Sequence, residues 1–430
     1  MEYFAEGSPD SIIDRDRARV LLGAMLRRVG RVRRVLLLPP DYTRVHSWAG
    51  PLTVMLYEQL ADDVHVEIMP TLGTHAPMTD DRLRAMFPGI PRKAFRVHDW
   101  RGGLTRLGEI PPAIIREITR DRVDLSVCCE INRLLVDDDW DRIISIGQLV
   151  PHEVVGIANH SKNIFVGAGG QDTINKTHYI GAACDMEAIM GRTNTPVRAV
   201  FDYMTAHYAR DLPISYLLTV RAPDASGGLV TRGMFAGDDN VCFRRGAALC
   251  RQVNVVLLEK PLRKVVVYLD PSEYKSAWLG NKSIYRTRMA LAPEGELIVL
   301  APGVTTFGED AEIDRLIREY GYRGRSRTLQ MVAENVDLAA NLSAAAHLIH
   351  GSSEGRFRVT YCTGGLSRHE MESVGFAYGD VIEMVRRFPP DRLRYGWNEV
   401  ADEQVFYVPN PGLGLWALRS RFEESTARKV

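Results

Sequence analysis

The feature that constrains this chain most is a short apolar run closed by prolines, Val35 to Pro40 (VLLLPP), followed by a second, Val64 to Pro70 (VHVEIMP). Runs of that length, bounded by breakers, are what a strand buried on both faces leaves in a sequence. Helical spacing occupies Asp10 to Arg28 before the first run, with Ser8 or Asp10 as cap, and Pro51 to Ala61 between the two. A glycine turn then feeds a further helix, for which Thr79 and Asp80 are the N-cap candidates. A charged helix around Ala113 to Arg120 and the strands VDLSVCC and RIISIG continue the alternation up to Ser145. Such a chain predicts an α/β fold, a doubly wound, mostly parallel sheet with helices on both faces.

The strands ISYLLTVRA and GLVTRGMFAG and the helix CFRRGAALCRQ follow, and a boundary is expected near Lys260 to Lys264. Lys264 to Asp270 (KVVVYLD) then opens a second, smaller α/β domain, with SEYKSAWLGNKSIYRTRMALA as its first helix and GELIVLAPG and FRVTYCTGG as further strands. The expected division is 1–262 and 263–430, with the active site in the cleft between the two domains. The alanine-rich stretch MVAENVDLAANLSAAAHLIHG reads as one helix, with His347 and His350 on a solvent-facing end.

Lysine plus arginine and aspartate plus glutamate balance at 54 each across 430 residues, so no global field draws the chain to nucleic acid or an anionic membrane. No apolar run approaches the roughly 20 residues of a membrane helix. The acidic opening MEYFAEGSPDSIIDRDR lacks the pattern of a secretory signal, and the six cysteines show no CxxC spacing. A cytoplasmic protein with reduced, mostly buried thiols is expected, with a small molecule as its partner. No GxGxxG opens any helix of the first domain, which counts against a standard dinucleotide fingerprint.

Chemistry concentrates in Ile146 to His178, where His152, His160, His178, Lys162 and the glycines Gly167, Gly169 and Gly170 share one turn-rich segment. Imidazole titrates near neutrality and is the commonest metal ligand, and glycine lets backbone approach a bound group. Asp41, Thr43 and Arg44 follow the first strand at its carboxyl end, where open α/β sheets bind ligands, though an Asx-type turn explains them equally well. His75 sits in the turn after the second strand. His160 reads as a turn histidine.

In order and spacing these pieces resemble the nickel-dependent lactate racemase family, the 2-hydroxyacid racemases and epimerases that use a nickel-pincer nucleotide. DYTR at Asp41 to Arg44 is similar to the family's Asp-x-Thr-Arg-Pro, with Val45 replacing the proline, and GTHAPMT at Gly73 to Thr79 to its Gly-Thr-His-Arg-Pro turn. IGQLVPHEVVG carries the second histidine, His152. Lys162 stands ten positions beyond it, and His178, within DTINKTH, sixteen beyond that. WLGNKSI resembles the helix that supplies another lysine, here Lys282. The likeness spans both domains. It departs at Ala158-Asn159-His160-Ser161-Lys162, where relatives read Ser-Gly-Gly-Arg-Lys, and at Leu279, where the lactate enzyme has a polar substrate contact. Shifting the register to align Gly169-Gly170 with the lost glycines would put Asp172 in the lysine's place; the gapless register keeps both histidines.

The resemblance implies inversion at C2 of a 2-hydroxy acid through a 2-keto acid, by reversible hydride transfer. That route avoids a poorly stabilised carbanion but needs a hydride acceptor that only a cofactor provides. On this reading His75 and His152 are the paired bases, and His178 ligates nickel. Arg44 and Lys282 hold the substrate carboxylate. Asp41, Thr43, Gly73, Thr74, Lys162, Gly167 and Gly169 hold the nucleotide, with a covalent link at Lys162 or without one. The altered segment and Leu279 are compatible with a longer aldonic acid such as gluconate. An NAD-dependent hydroxyacid dehydrogenase and a non-catalytic ligand-binding relative are the alternatives.

Overall fold

The computed structural model describes residues 1–137 and 139–427 and divides into two compact units. The first comprises Met1–Thr177 and Gly191–Asn254, and the second comprises His178–Met190 and the chain from Val255 onward. Both are α/β units.

The first unit is built on a six-stranded sheet in the order Glu2–Gly7, Leu229–Gly237, Ile214–Pro223, Arg142–Gln148, Arg34–Leu38, His65–Ile68. The last four strands run parallel, and the first two add antiparallel at one side. Val35 to Leu38 are all buried, which is why that strand is apolar at every position. One face packs Val35, Leu37, Ile144 and Leu217 against Leu22 and Met25 of the helix Arg15–Val29 and Leu52 and Leu56 of the helix Ala49–Leu60. The caps are Asp14, not Ser8 or Asp10, and, as expected, Thr79, whose hydroxyl accepts the Arg82 N–H.

Chain order across the parallel strands places a switch point between Arg34–Leu38 and Arg142–Gln148. From the former the chain first goes outward to His65–Ile68, and only later returns to the other side. In open α/β sheets the crevice outside the strand ends at such a point is where ligands bind.

Val127–Asn132, expected in this sheet, instead pairs antiparallel with Leu104–Ile110 in a separate two-stranded sheet. Its burial alternates up to Glu130, the signature of a strand covered on one face. Gly108 lets this hairpin lie against the Tyr208 ring, which a Cβ would meet at 2.4 Å.

The second unit carries a six-stranded sheet in the order Ala377–Tyr378, Arg358–Thr363, Leu291–Ala301, Leu262–Tyr268, Glu403–Val408, Gly396–Val400, parallel except for the last pair. Val265 and Val267 face one core with Leu297 and Val299; Val266 faces the other with Ile298 and Tyr407. Val255–Leu258 pairs with Leu415–Leu418, so this unit takes up chain before residue 263. The expected first helix is two short ones, Ala277–Gly280 and Lys282–Thr287. The alanine-rich helix is likewise broken, into Arg325–Glu334, Val336–Ala340 and Leu342–His350.

All six cysteines are free, and all but Cys128 are buried. No helix among the described residues is long and apolar enough to cross a membrane.

Candidate active site

Three chain segments leave the parallel strands of the first unit at their carboxyl ends with candidate residues on them. After Arg34–Leu38, Asp41 caps the short 3-10 turn Tyr42–Ser47, its carboxylate accepting the Thr43 N–H at 3.2 Å and the Thr43 hydroxyl. Its other oxygen lies 2.7 Å from Nδ1 of His75, which arrives from the turn after His65–Ile68. Burial alone would raise the Asp41 pKa, but the bond and charge of His75, with Thr43 and Arg44, outweigh it and hold the carboxyl below its ordinary value. Asp41 is therefore an anion that orients an imidazole, while the His75 side chain stays 54% exposed. Arg44 is exposed, with Nη1 donating to Thr43 Oγ1 at 3.1 Å.

His152 follows the strand Arg142–Gln148 and lies in a small hairpin, Pro151–His152 against Gly156–Ile157. Its ring is largely buried, its Nδ1 accepts the Val154 N–H at 3.1 Å, and the Glu153 carboxylate stands 3.7 Å from the same nitrogen.

The segment bearing Lys162 is strained on both sides of it. Asn159 and His160 are consecutive non-glycine residues in the left-handed region, at φ 65° and 59°. Beyond the lysine, residues 163–167 form a π-helical turn, with Ala168 N–H reaching back five residues to Asn163 O at 3.0 Å. Such outliers cost free energy and gather at functional sites. Burial, with Arg44 and Arg198 adding to it and Glu153 opposing, pushes the Lys162 amine down to about 8. At that value part of the amine is neutral and nucleophilic near neutral pH.

Two residues that sequence reasoning missed build this segment. Asn163 donates to Leu38 O at 3.1 Å and Ser145 Oγ at 2.9 Å and accepts from Thr71 Oγ1 at 2.8 Å. It thus ties the turn after Lys162 to two parallel strands, and to the loop after a third, across the switch point. Arg198, from the helix Pro196–Tyr208, donates to Ser161 Oγ at 2.9 Å and Ile157 O at 2.7 Å and lies over the Phe243 ring. A helical arginine flanked by apolar residues, VRAVF, was the available signal.

His160 stands in a turn, as expected, but its side chain is not at the surface. It is buried, its ring 3.7 Å from that of Tyr216, and burial with Arg198 nearby pushes its pKa to about 3. Gly73, at φ 56°, donates its N–H to Gly167 O, and a Cβ on Gly167 would meet Thr71 and Asn163. Gly169 lies so close to Phe165 O that a Cβ would stand 1.8 Å away. Each glycine thus has its own local reason: a left-handed backbone at Gly73, neighbouring side chains at Gly167 and a backbone carbonyl at Gly169. Thr74 is exposed beside His75. Asp172 accepts the Cys128 N–H at 2.9 Å and pairs with Lys176, a structural part within the first unit.

His178 and Lys282 belong to the second unit. His178 lies half-buried on the helix Gln171–Ala183, and the Lys282 ammonium lies 6.0 Å from the Tyr274 ring centre. Leu279 packs partly buried against the core there. His347 and His350, expected on a solvent face, are both buried; His347 stacks on Trp278 at 4.1 Å and its Nε2 meets Tyr322 Oη at 3.0 Å. The helix that carries them is core, which is why it is so rich in alanine. Among the described residues no three His, Cys, Asp or Glu side chains converge as a metal cage.

Residues 24–191 match the lactate racemase N-terminal domain family. A crystal structure of a protein from Thermotoga maritima is similar at 21% identity and a TM-score of 0.78, over 94% of this chain and 98% of that one. The lactate racemase apoprotein from Thermoanaerobacterium thermosaccharolyticum is similar at 17% identity and a TM-score of 0.66, over 90% of this chain and 87% of that one. These two likenesses are likenesses of fold. No curated protein sequence matches.

Proposed function

We propose that the chain, whose residues 24–191 match the lactate racemase N-terminal domain family, is an isomerase that inverts C2 of a 2-hydroxy acid with a nickel-pincer nucleotide as its resident cofactor. The observation that carries this reading is the Lys162 amine, lowered to about 8 and held by a strained turn at the same strand ends as the Asp41–His75 pair. A lysine amine lowered this far suits a functional role better than a structural one.

The chain's residues suit such a group. His178 would contribute one imidazole to the metal and leave the other donors to the cofactor. Lys162 would take an acyl-type link at its neutral amine or, uncoupled, pair with an anionic end; Thr43 and Thr74 offer hydroxyls to its polar parts. Once bound, the group supplies the hydride acceptor that no side chain provides.

The remaining work falls to the chain. The guanidinium of Arg44 grips the substrate carboxylate, and Lys282 is the second candidate for that task. His75 takes the hydroxyl proton, and the imidazolium so formed stays on the ionised Asp41. His152 serves the opposite stereoisomer.

The test is to load purified protein with the nickel cofactor and follow both stereoisomers of lactate, malate and C5–C6 aldonates by NMR and polarimetry. Inversion at C2 without added nicotinamide is expected. Oxidation dependent on NAD, or binding without turnover across the panel, overturns the proposal.

A further inference from the structure

We propose that the two candidate bases rest in opposite tautomers, His75 with its proton on Nδ1 and His152 with its proton on Nε2, and that Asp41 is the positioning residue that imposes the first state. The inference rests on reading both histidines as proton-transfer groups, and it deepens that reading by making them unequal.

The argument is one of donors and acceptors. An ionised carboxylate only accepts, so the 2.7 Å contact between Asp41 Oδ2 and His75 Nδ1 requires a proton on that nitrogen. In the neutral ring the Nε2 of His75 then carries a lone pair. A backbone N–H only donates, so the 3.1 Å bond from Val154 to His152 Nδ1 requires a lone pair there, and the neutral ring keeps its proton on Nε2.

The consequences differ at the two rings. His75 accepts a hydroxyl proton at Nε2 without rearrangement, and its second N–H remains on Asp41. His152 offers a donor at Nε2 instead and suits the task of polarising an oxygen. To become an imidazolium it must place a proton on Nδ1, against the Val154 N–H, with the Glu153 carboxylate 3.7 Å away as the nearby counter-charge. The stereoisomer whose hydroxyl meets His75 therefore enters its first turnover directly, and the other waits on a proton shift.

Asp41→Asn separates positioning from folding. Asparagine is isosteric and caps a helical turn as well as aspartate does, so the Tyr42–Ser47 turn survives. Its amide, however, can present an N–H to His75 Nδ1 and drive the ring proton to Nε2. The experiment is long-range proton–nitrogen NMR of the imidazoles in the ¹⁵N-labelled full chain without cofactor, assigned with His75→Gln and His152→Gln. Expected are an Nδ1–H signature for His75, an Nε2–H signature for His152, and conversion of His75 toward Nε2–H in Asp41→Asn. An Nε2–H His75 in the native chain, an Nδ1–H His152, or a His75 signal unchanged in Asp41→Asn overturns the inference. The spectra need no turnover: if they hold while no hydroxy acid is inverted, the functional reading alone fails, and if inversion is found without them, this inference alone fails.

Discussion

Thr71 Oγ1 donates to the carboxamide oxygen of Asn163 across 2.8 Å, joining the loop after one parallel strand to the turn that follows Lys162. The amide nitrogen of Asn163 meanwhile reaches Leu38 O and Ser145 Oγ. Replacing it with leucine of similar volume leaves those buried partners without hydrogen bonds, each at roughly 1–3 kcal/mol. Asn163→Leu should lose about 3 kcal/mol in urea unfolding, and Thr71→Val, which removes one donor, about 1 kcal/mol. An unchanged midpoint for Asn163→Leu would mean that the peg holds nothing.

A pair of glycines separates packing from cofactor contact. A Cβ on Gly169 would stand 1.8 Å from Phe165 O, a backbone atom with little freedom to move, so Gly169→Ala should destabilise by about 3 kcal/mol. Gly23, inside the helix Arg15–Val29, meets nothing nearer than 3.5 Å, and Gly23→Ala should stabilise by about 0.5–1 kcal/mol. Thermal unfolding of the two variants checks both signs. A fully stable Gly169→Ala protein would return that glycine to a ligand-binding role.

Val35 to Leu38 announced itself because a strand buried on both faces must be apolar throughout, and His75 because the turn after a parallel strand is where such folds carry catalytic side chains. Val127–Asn132 looked similar in composition yet joined another sheet, since alternating burial is what decides and Cys128 and Glu130 are only partly covered. The Met331–Gly351 stretch read as one helix, whereas Asn341 caps Ala344 and restarts it. At the site, the contacts that define Asn163 and Arg198 lie 125 and 37 residues away, and no local pattern records a partner that distant. The Asp41–His75 pair falls between these cases. Both residues were singled out, but not as partners.

The second unit offers a pH-dependent test. Glu187, on the short helix Met186–Ile189, is buried against Arg288 at 3.0 Å and pairs with Arg356. Burial would raise its pKa, but Arg288, Arg356 and Arg421 outweigh that and hold the carboxyl below its ordinary 4.5. A depressed carboxyl adds stability that is present above its unfolded value and is lost as pH falls through the folded one. Glu187→Gln leaves the buried Arg288 with only Glu354, 3.8 Å away, and should cost about 3 kcal/mol at neutral pH. The difference from the native chain should shrink once pH drops below 4.5. On the proposed reading of His178 as the metal ligand, loosening the Glu187 ion pairs near it should also weaken cofactor binding. Equal stability of variant and native chain at pH 7 would contradict the ion-pair account.

Lys162 gives the sharpest prediction, because its stability cost and its reactivity have one cause. Its amine titrates near 8 in the folded protein and 10.5 is its ordinary value, so below pH 8 the fold carries a buried cation that it solvates poorly. Between those values the unfolded chain binds the extra proton, and stability must therefore rise with pH across that window. Lys162→Met should accordingly stabilise the protein at pH 7 by about 2–3 kcal/mol, an advantage that shrinks by pH 10. The same depression should let an amine-reactive sulfonate label Lys162 ahead of the surface lysines at pH 8, as read by peptide mass spectrometry. A Lys162→Met protein no more stable than the native chain, with Lys162 labelled no faster than the others, would show the amine to be an ordinary ammonium.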